Sequence, residues 1–106
     1  MTRVKVNSGA CGFNSVITIS SKGNKEFSLQ IESECEMVER LGKEIKKLTM
    51  MDAFKGIKVN PVYKGATACL KHISCPVPVA ILKALEVEAG LAVARNVKIE
   101  LEKTDD

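Results

Sequence analysis

The chain has 106 residues, a formal net charge of +3, 45% apolar and 27% charged residues, proportions of one globular domain able to bury its own core without metal or disulfide staples. No apolar run approaches the ~20 residues of a membrane-spanning helix, and the opening MTRVKVNSGA carries no signal-peptide apolar region, so the reading is a single cytoplasmic domain over residues 1–106 with no membrane partner. Basic and acidic residues nearly balance and only one Tyr, three Phe and no Trp occur, which argues against nucleic acid as a partner because neither a phosphate-binding field nor a base-stacking platform is evident.

TRVKV (2–6) alternates, with Val4 and Val6 on one face, and predicts a strand. NSGACGFN then places turn residues on both sides of Cys11. A second strand follows in SVITIS (15–20), and SKGN supplies hairpin chemistry, with Gly23 and Asn24 able to take positive φ. EFSLQIE (26–32) is a third strand with Phe27, Leu29 and Ile31 inward. Ser33 and Glu36 have the spacing of a capping box, and Val38, Leu41, Ile45 and Leu48 keep helical spacing beyond it. Met50, Met51 and Phe54 suggest a short apolar turn, broken by Gly56 and Asn60-Pro61. Residues 65–73 predict a short helix with Ala66, Cys69, Leu70 and Ile73 inward. The last helix starts at Pro76, buries Ile81, Leu82, Leu85 and Ala89, and ends at Gly90. VKIEL (97–101) reads as a final strand, and the terminal KTDD as a frayed end.

The order β-β-β-α-α-α-β is that of an α+β domain, a four-stranded mixed or antiparallel sheet with two to three helices on one face. If the first three strands form an antiparallel meander, the loop carrying Cys11 and the exit carrying Cys35 share one end of the sheet. Cys75 joins them only if the last helix starts at that end. The final strand would then run parallel to the first and third.

The stretch CLKHISCPVP (69–78) holds two thiols and the only imidazole of the chain, Cys69, His72 and Cys75. Unpaired N–H groups at helix starts stabilise thiolates, so Cys35 and Cys75 are candidates for lowered thiol pKa, and Cys75 for the most reactive thiol. Cys69, on the apolar side of a short helix, reads as a buried small residue. Thiolates and imidazole suit zinc or an iron–sulfur centre, with Cys11, Cys35 and Cys75 as ligands and His72 or Cys69 as a fourth. A conventional hydrolase has the least support, since no nucleophile has a recognisable base partner beyond the local His72 and Cys75 pair.

Cys75-Pro76-Val77-Pro78 opening an apolar helix resembles the Cys-Pro-x-Pro motif of TusA-like (SirA-like) sulfur carriers. That likeness covers about residues 74–101 and implies Cys75 as a persulfide site framed by Pro76 and Pro78. Through NSGACGF, the SECE stretch at 33–36, NPVY, HISCPVP and KALEVEAGLA, nearly the whole chain resembles a family of small uncharacterised prokaryotic proteins found largely in methanogens and other anaerobes. Three readings stand open: a thiol-based metal or iron–sulfur protein, a sulfur carrier fed by a protein partner or small-molecule sulfur donor, and a non-catalytic interaction domain with structural cysteines.

Overall fold

The computed structural model describes residues 1–105; of the KTDD end expected to fray, Asp106 lies outside them. Four strands form one antiparallel sheet in the order β1-β2-β3-β4, accompanied by three α-helices. This is the expected α+β class. The strands are β1 (Thr2–Asn7), β2 (Asn14–Gly23), β3 (Glu26–Ser33) and β4 (Lys47–Thr49); the helices are α1 (Glu36–Glu44), α2 (Pro61–Cys69) and α3 (Val77–Glu88). No helix among the described residues is long and apolar enough to cross a membrane.

Alternation places the sheet's faces. Val4 pairs with Ile17, Ile17 with Ile31 and Ile19 with Leu29. These residues face the helices, and Ile17, Ile19, Phe27 and Leu29 are buried. Arg3, Lys5, Gln30 and Glu32 lie on the opposite face, the usual division for a sheet covered on one side. β2 turns into β3 through Asn24 and Lys25, both at positive φ, the twist that a two-residue hairpin needs.

α1 packs mainly on β3, and α3 lies across β1 and β2. Val38 and Leu41 of α1 and Val77, Ile81, Ala84 and Leu85 of α3 close the core. α3 ends as expected at Gly90, whose φ is 78°. The Gly90 N–H donates to the Val87 carbonyl and the Leu91 N–H to the Glu86 carbonyl, which satisfies two orphan acceptors in a Schellman arrangement. Between α1 and α2, Gly65 permits close approach: a Cβ there would lie 2.6 Å from Ile45 Cδ1.

Several local readings need correction. α1 stops at Glu44, and Leu48, at helical spacing from Leu41, instead sits in β4 opposite Phe27. Ser33 does not cap α1: it closes β3, and Cys35 is the N-cap without a side-chain cap bond. A capping box forms instead between Thr49 and Asp52. Asn60-Pro61 opens α2 rather than breaking a segment. Asn60 Oδ1 accepts the Val62 N–H, while its Nδ2 donates to the Asp52 and Lys55 carbonyls, and Pro61 takes the first-turn place that needs no donor. Ile73 is fully exposed, because α2 has ended at Cys69. The fourth strand is Lys47–Thr49; VKIEL (97–101) forms no strand, and residues 91–105 are exposed and without regular structure.

Candidate functional site

The meander brings two thiols to one rim of the sheet. Cys11 lies exposed at the end of a single 3-10 turn, Gly9–Cys11, between β1 and β2. That turn is fixed by Asn7 Oδ1 accepting the Gly9 N–H and by a left-handed Gly12. Cys35 follows β3 at the same end, where Asn7 faces Asn14 and Ser15 faces Ser33. A polar clamp holds the two exits together. The Asn14 N–H donates to Glu34 Oε1 at 2.7 Å, the Glu34 N–H donates to the Asn14 carbonyl at 3.1 Å, and the Ser15 and Ser33 hydroxyls lie 2.8 Å apart. Ser33 Oγ also accepts the Cys35 N–H at 3.0 Å, and Glu39 Oε1 accepts the Ser33 N–H. These polar residues were missed as supports of the rim. Their signal was positional: strand parity sends Asn14 and Glu34 to the end that carries the thiols.

The direction of α3 brings in the third thiol. Glu88, in its last turn, accepts the Thr2 hydroxyl and the Ser21 N–H and pairs with the Met1 ammonium. The carboxyl end of α3 therefore sits where β1 begins, and its amino end sits where β1 finishes. Cys75, just before the N-cap Pro76, accordingly stands at the rim of Cys11 and Cys35. It is half-buried.

The expected lowering of the Cys75 pKa is not met: its thiol is pushed above the ordinary value of 9.0. Burial is the main cause; the Val77 N–H favours the thiolate but does not offset it, and the charges that Cys35 and Cys11 would carry raise it further. The helix start therefore does not produce a reactive thiolate here.

The two remaining candidates differ. His72 lies exposed between α2 and α3, and its carbonyl accepts the Cys75 N–H at 3.3 Å. Cys69 is 5% exposed and belongs to the core cluster at the end of α2. Among the described residues, no group of three or more His, Cys, Asp or Glu side chains is drawn close enough to hold a metal ion. The rim is thus a neighbourhood of thiols rather than an assembled ligand cage.

Neither the curated proteins nor the solved structures contain a match to the chain. A family description does match, over residues 2–101, which takes in every strand, every helix and all four cysteines. The chain belongs to a family of unknown function, DUF6951.

Proposed function

We propose that the rim formed by Cys11, Cys35 and Cys75 is a thiol site that takes up a thiophilic metal centre, zinc or an iron–sulfur cluster, with His72 as the accessible fourth donor. The observation that carries this reading is the placement of three thiols from separate connections at one end of the sheet: Cys11 after β1, Cys35 after β3, and Cys75 ahead of α3, whose far end Glu88 ties to the start of β1. Of these thiols Cys11 is exposed, and Cys35 and Cys75 are half-buried against the edge of the core. Cys69 drops out of the ligand set because it packs in the core.

Uptake would draw the donors together. The turn carrying Cys11 has no buried residue and residues 71–74 are exposed, so both can move at little cost in packing. Cys35 and Cys75 adjoin the first turns of α1 and α3, which would anchor the other side. Thiols must lose their protons to ligate, so the raised Cys75 pKa makes affinity climb as pH rises toward and through 9.0.

The test is metal content and absorption spectra of protein purified without oxygen, before and after anaerobic reconstitution. About one metal centre per chain, lost in Cys75→Ser, is expected; less than ~0.2 metal per chain under both conditions contradicts the reading, because multi-thiolate sites hold their ion tightly. Metal-free protein with a one-sulfur mass increment on Cys75 would replace it by sulfur carriage. Metal-free, unmodified protein would leave an interaction domain.

A further inference from the structure

We infer that this chain forms a dimer in which residues 99–103 of each copy add a strand to the β1 edge of the other. This is independent of the thiol reading. β1 has a strand neighbour on one side only, so its outer row of N–H and C=O groups faces no strand among the described residues. An open edge of this kind is a template for strand addition. Beside it runs a groove between β1 and the flank of α3, where Val79 is 44% exposed; the chain's own Val97 and Ile99 line its outer side without joining β1 as a strand.

The occupant is written in the exposed tail. Val97, Ile99 and Leu101 alternate with Lys98, Glu100 and Glu102, a strand pattern without a strand partner. Exposure rises outward, 55% at Val97, 74% at Ile99 and 94% at Leu101. The molecule measures 52 × 28 × 25 Å, long in one direction for its size. Apolar side chains this exposed need a surface to cover.

Charge and direction select the second copy over the chain's own edge. In an antiparallel register with Ile99 opposite Val6, Glu100 meets Lys5, Leu101 meets Val4, Glu102 meets Arg3 and Lys103 meets Thr2. Both apolar residues then cover the helix-side valines of β1, and both carboxylates face basic residues on the open side. Lys103 arrives next to Glu88, which already accepts the Thr2 hydroxyl. A tail returning directly from the end of α3 runs with β1, not against it. Placing Glu100 at Arg3 and Glu102 at Lys5 in that parallel sense puts Lys103 beside Val6, an ammonium against a valine in a groove that already holds Arg3, Lys5, Lys83 and Arg95. At present Glu100 pairs with Lys98, and both side chains are at least 75% exposed, a contact easily exchanged.

Sedimentation equilibrium of the full chain across about 10–200 µM tests this, since a subunit equilibrium must follow concentration. A dimer is expected. Ile99→Lys should give monomers, and its exposed position spares the fold. Glu100→Lys with Glu102→Lys should weaken association about tenfold or more, and adding Arg3→Glu with Lys5→Glu should restore it. A monomer at every concentration overturns the inference, whether or not amides 99–103 are protected from exchange. So does a dimer insensitive to Ile99→Lys and to the charge exchange.

Discussion

At its carboxyl end α3 is tied to the sheet by Glu88, whose oxygens take the Thr2 hydroxyl at 2.7 Å and the Ser21 N–H at 3.2 Å. At its amino end it meets the sheet through Cys75, which stands near Cys35 and Cys11. One end spends its polar atoms on holding strands together; the other gathers sulfur atoms, which make only weak hydrogen bonds. The polar work at that second rim falls to Asn14, Ser15, Ser33 and Glu34, leaving the thiols available. The two ends of one helix thus differ: a carboxylate clasps one to the sheet, and at the other the polar contacts are made by neighbours of the thiols.

The largest perturbation removes the helix's grip on both ends together. Ile81 is fully buried, and Ile81→Ala should cost about 2–5 kcal/mol in denaturant unfolding. The tied end comes next. Glu88→Gln weakens its hydrogen bonds and removes the Met1 ion pair, a loss of about 1–2 kcal/mol at neutral pH. Its carboxyl sits below the ordinary 4.5, chiefly through the Thr2 hydroxyl, with the Met1 ammonium next. The stability it supplies is therefore complete above pH 4.5 and is lost as pH falls through the lower folded value, so the difference between wild type and Glu88→Gln should shrink in acid. Equal acid sensitivity in both proteins would show that Glu88 is not the clasp.

At the thiol end the effects on stability should be small. Cys11 is exposed, and Cys11→Ser should change unfolding by less than about 0.5 kcal/mol. Its consequence is electrostatic. Since the charges of Cys35 and Cys11 oppose ionisation of Cys75, Cys35→Ser or Cys11→Ser should lower the pH at which iodoacetamide labels Cys75. In the wild type that labelling should still be rising above pH 9.0, while Cys69 stays protected until unfolding. An unchanged Cys75 profile in both variants would separate the three thiols.

What the sequence disclosed about this arrangement follows from the range of the forces involved. Alternation in β1, β2 and β3 and the Pro76 and Gly90 boundaries of α3 are local, and they are legible in the residues. Strand parity then placed Cys11 and Cys35 together without any side-chain contact. Leu48 and Leu101 were misread because pairing is not local. A three-residue strand held by Phe27 looks like the tail of a helix, and VKIEL has the alternation of a strand but forms none among the described residues. Ser33 kept its capping-box spacing while its hydroxyl was already committed to the Ser15 hydroxyl and the Cys35 N–H. The position of Cys75 depended on the direction of α3, which the Glu88 contacts reveal only in three dimensions. Its raised pKa depended on burial, which the motif does not encode.

Whether the three rim thiols act as one site is read most directly by titrating reduced, oxygen-free protein with Co(II) and following thiolate-to-metal charge transfer. One equivalent should bind, with uptake strengthening as pH rises, and the band should weaken or vanish in each of Cys11→Ser, Cys35→Ser and Cys75→Ser while surviving Cys69→Ala. Absence of a charge-transfer band, or a band undiminished by loss of any one rim thiol, would contradict a shared site.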